Sequence, residues 1–240
     1  MIKIRLFGME NEFKKMSNTE IFDKIYKDKI WGTDNNGCAN SGAGSHLSYI
    51  TEPYINIVNS LLNKIKPTVI VDLGCGDFNV GKNFISYATK FIACDVSSLI
   101  IERNKLEYKN FKNVEFKHID ICGEKLPEGE IAFVRQVLQH LSNESIKKFT
   151  KYINQFKPFK YLLVTEHISN SDLIIENINK PSGSRMRTRF NSGVFLHKKP
   201  FFLKFSYHEV LLDVPVDLKN PMLEKNKDAN SIIRTTLYKF

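Results

Sequence analysis

One stretch constrains the fold of this chain more than any other: the apolar run Val69–Leu73, which ends in the small-residue turn Gly74-Cys75-Gly76. A nearly continuous run rich in β-branched residues is typical of a parallel strand that is buried on both faces. Glycines directly after such a strand let the backbone turn sharply and approach a ligand closely. Helix-compatible sequence follows over residues 80–88, so the stretch predicts a strand, a ligand-binding turn and a helix in succession.

Asp72 lies within the first run, and a second acidic residue, Asp95, supports a cofactor site at this turn. Asp95 ends the next apolar run, residues 91–94, about 20 residues after the turn, which is the distance at which a strand-helix-strand unit places a carboxylate beside a ribose. A glycine pair alone also occurs in ordinary tight turns. Because Phe78 and Asn79 follow the pair, the last glycine of a dinucleotide fingerprint is missing, which favours an adenosine cofactor without a pyrophosphate.

The residues of this turn resemble a known motif. Asp72, Gly74, Cys75 and Gly76 are similar to the first motif of class I S-adenosylmethionine-dependent methyltransferases. Asp95 is similar to the acidic residue with which these enzymes bind the ribose. The resemblance implies that all of these residues contact the cofactor.

Two longer strings, residues 75–79 and 134–141, resemble a bacterial subfamily of small-molecule methyltransferases associated with capsule and surface-polysaccharide gene clusters. Many class I members carry a third glycine where Phe78 stands. The resemblance covers residues 31–240 and implies S-adenosylmethionine as cofactor and S-adenosylhomocysteine as product. It also implies an α/β fold with a Rossmann-like, seven-stranded, mostly parallel sheet, helices on both faces and a C-terminal antiparallel hairpin.

The length and composition fit one globular unit. With 240 residues, of which 42% are hydrophobic, the chain can form a single core. We expect an N-terminal helical lid over residues 1–66 and a methyltransferase domain over residues 67–240. The formal net charge of +9 suits an acidic partner such as nucleic acid. The lysines are spread along the chain without a dense basic block, however, which favours a solvated surface and a small-molecule acceptor.

The cysteines indicate a reducing compartment. The chain has four, Cys38, Cys75, Cys94 and Cys122, with no CxxC pair, so neither a zinc site nor a disulfide framework is predicted. We therefore expect no metal and a cytoplasmic location. Residues 1–7 are apolar and basic but too short for a signal peptide, and no run approaches the roughly 20 apolar residues that cross a bilayer.

The N-terminal part supplies candidate contacts at a helix entrance. Residues 18–29 have helical spacing, and residues 41–46 form a small-residue loop before a helix predicted over residues 47–65. Because helix N-termini favour anions, Ser41 and Ser45 are candidates for binding the carboxylate of the cofactor's methionine part; the alternative is a plain flexible loop. The resembling subfamily has a similar Trp-Gly and Ser-Gly-x-Gly-Ser arrangement here, and Trp31 is a candidate substrate contact.

The next strand ends supply further cofactor contacts. A helix is predicted over residues 97–108 and an alternating strand over residues 114–120. In the resembling enzymes the acidic residue that ends this strand lies beside the adenine, so Asp120 and Ile121 become candidate contacts together with Val96. A carboxylate at a strand end can equally cap a turn.

The fourth predicted strand, residues 131–134, leads to Arg135 and Gln136. Ligands of open α/β sheets bind beyond the carboxyl ends of the strands at the switch point, where both side chains would emerge. We expect Gln136 to contact the cofactor. Arg135 could contact the substrate or close the end of the sheet with a salt bridge. A further helix is predicted from Ser142 to about residue 154.

Histidines are the candidate general bases. His140 lies between leucines, where a histidine is either a core residue or faces the transferred methyl group. A fifth strand, residues 161–165, delivers Glu166 and His167 to the same edge. Either histidine could take a proton from an attacking hydroxyl, whereas an anionic acceptor would need no base. A metal-assisted variant with Asp120, Glu166 or His167 as ligands stays open, although no spacing demands it.

The region after the fifth strand carries alternating arginines. Residues 172–179 could form a short helix, and the polar loop at residues 181–193 contains Arg185, Arg187 and Arg189. Guanidinium groups suit phosphate or carboxylate, so this loop predicts an anionic acceptor such as a sugar nucleotide, a phosphorylated sugar or a phosphoramidate. A solvated loop, or arginines paired with acids, is the alternative.

Three apolar segments end the chain: residues 201–205, 209–213 and 232–238, each of which reads as a strand. The sheet of the resembling methyltransferases also ends in an antiparallel hairpin formed by the C-terminal part of the chain. The leading function is therefore O-methylation of a small polar acceptor by direct methyl transfer, with an RNA methyltransferase and a non-catalytic S-adenosylmethionine-binding protein as alternatives.

Overall fold

The computed structural model describes residue 13, residues 15–216 and residues 231–240. Its strands are β1 (Val69–Leu73), β2 (Lys90–Asp95), β3 (Val114–His118), β4 (Gly129–Arg135), β5 (Phe159–Ser169), β6 (Ile175–Glu176), β7 (Ser192–Gly193), β8 (Tyr207–Pro215) and β9 (Ser231–Lys239). Its α-helices are α1 (Asn18–Lys27), α2 (Ser48–Ile65), α3 (Ser98–Glu107) and α4 (Asn143–Phe156). The described residues also form 3-10 helices at Ala43–Ser45, Gly81–Tyr87, Leu138–His140 and Arg187–Phe190.

The strands form a seven-stranded sheet in the order β3-β2-β1-β4-β5-β9-β8, and β6 pairs with β7 separately. The pairs among β1 to β5 are parallel, whereas β9 is antiparallel to both β5 and β8. The predicted mostly parallel sheet with a C-terminal antiparallel hairpin is confirmed. Strands β1 to β3 are added toward one edge of the sheet and β4 and β5 toward the other, so the switch point lies between β1 and β4, where a crevice opens at the carboxyl ends of these two strands.

Hydrophobic layers cover both faces of the sheet, because successive side chains of a strand point to opposite sides. On one face, Val71 lies in a cluster with α4 and with Ile21 and Ile25 of α1. On the other, Ile70 lies in a cluster with α2, including Val58, and with Phe84. The core thus consists of two layers with the sheet between them, and α1 is packed into one of them.

Three of the four described α-helices begin at residues that cap them; α2, which follows Leu47, has no side-chain cap. Ser17 and Glu20 form a capping box at α1, while Ser97 and Ser142 accept hydrogen bonds from backbone N–H groups at α3 and α4. Residues 81–87 form a 3-10 helix instead of an α-helix. A Cβ atom on Gly81 would lie 2.6 Å from the Phe78 ring, so the first residue of this segment packs closely against the glycine-turn region.

Two predicted elements after β5 are wrong. Residues 172–179 form turns and β6 instead of a helix, because Asn177 adopts left-handed backbone (φ 55°) and its side-chain amide donates to the carbonyls of Phe195 and Lys199. Residues 201–205 are not a strand: Phe201 and Leu203 are buried in the core, yet the segment is a loop. The alternating pattern there reflects burial without strand pairing.

β5 is longer than the sequence predicts. Its pairing with β9 continues to Ser169, so Glu166 and His167 lie within the strand and not beyond it.

In the described part of the chain, no helix is long and apolar enough to cross a membrane. The same residues contain no group of three or more His, Cys, Asp or Glu side chains that could hold a metal ion.

Candidate active site

A cavity of about 1680 Å³ lies at the carboxyl ends of the parallel strands and extends under α1 and the loop that precedes α2. Every predicted site residue lines this cavity except Arg187. Two parts of its lining are of most interest, and each is named here by its residues. The glycine-turn wall comprises Asp72, residues 74–77 and Asp95, and the histidine wall comprises Trp31, residues 139–140, His167, residues 184–186 and Arg189.

The glycine turn needs its glycines. Gly74 and Gly76 have left-handed backbone, with φ of 87° and 54°. A Cβ atom on Gly74 would overlap the Val137 side chain, and one on Gly76 would overlap the Ser41 hydroxyl. The N–H groups of Gly74 and Cys75 both donate to the Cys94 carbonyl, at 2.8 and 2.9 Å, which fixes the turn against β2. Val137 and Ser41 therefore pack directly against the turn, and only glycine fits at these two positions.

Asp95 is oriented by this turn. Its carboxylate accepts hydrogen bonds from the N–H groups of Gly76 and Ser97, both at 2.9 Å. Burial raises the pKa of Asp95 to about 6, against the lowering effect of those hydrogen bonds. A carboxylate has about four lone-pair sites, so Asp95 keeps acceptor capacity for a ligand hydroxyl.

Asp72 is a second buried acid on the same wall. Burial, with the charge of Asp95, raises the pKa of Asp72 to about 7, while the Arg135 guanidinium opposes the increase. A buried acid whose ionisation is hindered by burial and by a neighbouring carboxylate is a common feature of functional sites.

The loop before α2 docks onto the glycine turn through Asp77. The Asp77 carboxylate accepts from the Ser41 N–H at 2.8 Å and pairs with His46 Nε2 at 2.6 Å, and the Asp77 N–H donates to the Ser41 hydroxyl at 2.8 Å. Burial alone would raise the pKa of Asp77, but the His46 hydrogen bond and charge lower it below its usual value. Tyr26 of α1 also contacts the Ser41 hydroxyl at 3.0 Å. The Ser41 hydroxyl and amide thus hold the loop in place, in addition to lining the cavity.

Arg135 fastens the same loop from β4. Its Nη2 donates to the Gly44 carbonyl at 2.6 Å, its Nη1 lies 3.3 Å from the Ser45 hydroxyl, and the guanidinium lies over the Tyr54 ring. No ion pair of Arg135 is present within residues 15–216 and 231–240. The salt bridge considered for this residue is thus replaced by bonds to the loop.

Gln136 presents a buried donor. Its backbone is left-handed (φ 56°) and its N–H donates to the Thr165 carbonyl at 2.6 Å. The side-chain Nε2 is buried and makes no hydrogen bond to any described residue. A buried donor without a partner is costly, so its place on the cavity lining fits a bound ligand with an acceptor group.

Asp120 has a capping role as well as a place on the lining. It accepts hydrogen bonds from the Cys122 N–H at 2.9 Å and from Asn18 Nδ2 of α1 at 3.0 Å. The turn-capping alternative is therefore present in the structure. Ile121 and Val96 line the cavity beside it.

The two histidines of the histidine wall are buried. The Trp31 ring packs against His140, with ring centroids 5.1 Å apart, and His140 is 8% exposed. Burial, followed by the charge of Lys180, lowers the pKa of His140 to about 3. Burial also lowers the pKa of His167 to about 4. Both rings are therefore neutral near pH 7.

The three predicted arginines have different environments. Arg185 and Arg189 line the cavity, but Arg187 is 0% exposed. The Arg187 guanidinium donates to the carbonyls of Leu138, Gln139, Leu141 and Ile178 and to the Asn143 side chain, at 2.7 to 3.2 Å. The prediction that Arg187 binds the substrate needs correction, because its donors hold the backbone of the turn that carries His140.

Glu166 holds the same turn from the other side. Its carboxylate accepts from the N–H groups of Leu138 and Gln139, at 2.9 and 2.7 Å. Burial raises the pKa of Glu166 to about 8. Sequence reasoning placed Glu166 at the site but missed this role, and it gave Gln139 no role at all. The only signal was a charged residue inside an apolar strand, which rarely occurs without a partner.

Comparisons with known proteins agree on the fold. No family model and no curated protein matches the sequence. Among solved structures, the N-methyltransferase NodS from Bradyrhizobium japonicum WM9, in complex with S-adenosyl-L-homocysteine, matches with a TM-score of 0.60 at 10% identity, covering 90% of this chain and 98% of that chain.

Two further structures match at similar levels. The N-terminal domain of EvdMO1, in the presence of S-adenosylhomocysteine and D-fucose, has a TM-score of 0.54 at 13% identity, covering 93% of this chain and 97% of that one. The methyltransferase domain of bacterial CtHen1 has a TM-score of 0.55 at 15% identity, covering 78% and 97%. The chain therefore has the Rossmann-like fold of these methyltransferases, as the sequence predicts.

Proposed function

We propose that this protein is an S-adenosylmethionine-dependent methyltransferase that acts on a small anionic acceptor. The observation that carries the proposal is that three features border one cavity: the tight turn at residues 74–76, the Asp95 carboxylate oriented by that turn, and the unpartnered Gln136 donor. This combination fits an adenosyl group with a ribose and an amino-acid end, and no part of it requires a pyrophosphate.

The glycine-turn wall and the lining residues beside it would each contact a different part of the cofactor. Asp95 would bind the ribose hydroxyls, and the backbone of residues 74–76 would lie against the adenosyl group. Val96, Asp120 and Ile121 would border the adenine, while Gln136 and the loop with Ser45 would hold the methionine end. S-adenosylmethionine supplies a methyl group on a sulfonium and leaves as S-adenosylhomocysteine.

The histidine wall supports an anionic acceptor. Arg185 and Arg189 bring guanidinium groups to the cavity, and guanidinium geometry matches phosphate and carboxylate. We propose a saccharide, sugar nucleotide, phosphorylated sugar or phosphoramidate precursor of a capsule or surface polysaccharide, in line with the sequence resemblance. The presence of D-fucose with the EvdMO1 domain, which shares the fold, is compatible with a saccharide acceptor.

The transfer would be a direct in-line displacement. In such a reaction the protein mainly holds the nucleophile and the methyl group in line and excludes water. An acceptor oxygen that is already anionic needs no base, which suits a wall whose histidines have pKa values of about 3 and 4. Trp31 would cover the acceptor from the side of α1.

Calorimetry with S-adenosylhomocysteine tests the cofactor site. We expect the natural protein to bind, and Asp95→Asn to weaken binding at least tenfold, because a hydrogen bond to a charged group contributes about 1.5–3 kcal/mol. Asp172→Asn is the matched control, since this exposed aspartate is not among the residues that line the cavity. No binding by the natural protein at high concentration would contradict the proposal.

The acceptor is found by product analysis. Incubation with S-adenosylmethionine carrying a labelled methyl group and a panel of sugar nucleotides, sugar phosphates, phosphoramidates and RNA should yield a labelled small-molecule product, identified by mass. Arg189→Met should reduce its formation without affecting S-adenosylhomocysteine binding. Label found only in RNA would instead support the nucleic-acid alternative.

A further inference from the structure

The side-chain amide of Gln139 has a fixed orientation. Gln139 is 1% exposed, and its Oε1 lies 2.8 Å from the backbone nitrogen of His167 in β5. A backbone N–H can only donate, so the amide oxygen must face it and the NH2 group must face the other way. The orientation is therefore dictated by the main chain of the sheet.

The NH2 group of Gln139 has two partners. It lies 3.2 Å from His140 Nε2 and 3.4 Å from the Met186 sulfur. Both hydrogens of the amide and its oxygen are thus engaged, and a rotation of the amide would break all three contacts. This leaves Gln139 as a donor toward His140 in any arrangement that keeps the His167 bond.

A donor facing Nε2 determines where the proton of His140 resides. A neutral imidazole has one N–H and one lone pair. The lone pair must be on Nε2 to accept from Gln139, so the proton must be on Nδ1. The reverse tautomer would set two N–H groups against each other in a buried site. The Nδ1 atom is itself buried and makes no hydrogen bond that meets standard geometry among the described residues.

The groups around the ring keep it neutral. Lys180 Nζ donates to the backbone carbonyls of His140 and Pro181, at 3.0 and 2.8 Å, and the Arg187 guanidinium binds the same turn. Together with burial, these cations and His167 lower the pKa of His140, and only the backbone of Gly183 acts in the opposite direction. Protonation of Nε2 would also cost the hydrogen bond from Gln139.

We infer that Gln139 is a positioning residue that holds His140 in the Nδ1–H tautomer and occupies its Nε2 lone pair, so that His140 is not available to the cavity as a general base. The role toward an acceptor rests on the proposed function, whereas the tautomer does not. Because the Nε2 lone pair already accepts from Gln139, His140 offers no free base, which suits an acceptor whose oxygen is already anionic.

Nuclear magnetic resonance of protein labelled with 15N in its histidine rings tests this inference without cofactor or acceptor. Long-range 1H–15N correlations distinguish Nδ1–H, Nε2–H and the charged ring. The chain has six histidines, and the His140 signals are those missing from His140→Asn. We expect an Nδ1–H pattern that does not titrate between about pH 5 and 8, the range in which an ordinary histidine would.

Gln139→Glu replaces the NH2 donor that faces His140 with a carboxylate oxygen acceptor, and the side chain keeps its shape. One carboxylate oxygen can still accept from the His167 N–H, while the other becomes an acceptor toward His140. We expect the variant to convert His140 to the Nε2–H or the charged form. Gln155→Glu, an exposed position on α4, adds the same charge and should leave the His140 pattern unchanged.

The spectrum of the natural protein decides the matter even if Gln139→Glu fails to fold. An Nε2–H pattern, or titration between about pH 5 and 8, would overturn the inference, as would a folded Gln139→Glu that keeps Nδ1–H. An Nδ1–H pattern in a protein that does not bind S-adenosylhomocysteine would keep the tautomer and overturn only the proposed function.

Discussion

The two walls of the cavity are built in different ways. The glycine-turn wall comes from residues close to two adjacent strand ends, and its main contacts join Gly76 to Asp95 and residue 41 to residue 77. The histidine wall depends on the turn at Leu138–His140, which is held by Glu166 from the sheet and by Arg187 from the region after β5. The turn of the first wall is set by its own backbone conformation and by the adjacent strand end, whereas the second wall depends on buried charged side chains from other elements.

Replacing Arg187 is expected to have the largest effect on stability. Arg187→Met would leave the carbonyls of Leu138, Leu141 and Ile178 without their donors, and each buried unsatisfied group costs about 1–3 kcal/mol. We expect a loss of about 3 kcal/mol or more in the free energy of unfolding, measured with urea. Arg189→Met is the control, because Arg189 is exposed. Equal stability of the two variants would remove the distinction between the walls.

Gly76→Ala tests the glycine-turn wall. The variant places a Cβ on a left-handed residue and against the Ser41 hydroxyl, which Asp77 and Tyr26 hold in place. We expect a loss of about 2 kcal/mol in stability and at least tenfold weaker S-adenosylhomocysteine binding, measured by calorimetry. Gly123→Ala is the control, since no atom lies within 4 Å of a Cβ placed there. Unchanged affinity for Gly76→Ala would show that the turn does not border the cofactor.

The pH dependence of stability compares the acids of both walls. The pKa values of Glu166 and Asp72 are raised to about 8 and 7, so the folded state binds protons that the unfolded state releases. Stability should therefore rise as the pH falls from 8 to about 6.5, by at most about 1.4 kcal/mol per pH unit for each group. Below about pH 6.5 the buried His140 and His167, with lowered pKa values, oppose this gain because only the unfolded state protonates them.

Glu166→Gln should reduce this slope at pH values below about 8, and it should have the larger share of the effect between pH 7 and 8, as followed by thermal unfolding. Asp72→Asn should reduce the slope below about pH 7. Stability that falls as the pH decreases from 8 to 6.5 in the natural protein would contradict the raised pKa values.

The smallest effect is expected for the docked loop. Ser41→Ala removes a hydroxyl that contacts the Asp77 N–H and Tyr26, and one such hydrogen bond contributes about 1 kcal/mol. We expect a stability loss of that size in urea unfolding, with a several-fold loss of S-adenosylhomocysteine affinity as the loop loosens. Ser60→Ala, on the exposed face of α2, should change neither quantity.

Much of the fold and of the glycine-turn wall could be predicted from the sequence. The run before Gly74 and the carboxylate at Asp95 identify two neighbouring parallel strands, since consecutive strands of a strand-helix-strand unit lie side by side. Helices α1 to α4 follow from their periodicity and from caps such as Ser97 and Ser142.

Prediction was poorer after β5. Residues 201–205 alternate like a strand but pack as a loop, and Asn177 ends any helix in residues 172–179 with its side-chain bonds to distant carbonyls. The extension of β5 through His167 depends on pairing with β9, which is more than 60 residues away in the chain. Local pattern carries no information on such partners.

The sequence by itself determined where the backbone must turn and which carboxylate lies beside it, because positive φ at Gly74 and Gly76 and the spacing to Asp95 are properties of one short segment. The positions and contacts of the arginines and of His140 were determined only by the tertiary structure. Arg185 and Arg187 are two residues apart, yet one lines the cavity and the other is buried on carbonyl oxygens. What a polar side chain does depends on which distant groups desolvate and contact it, and those groups are brought together only by folding.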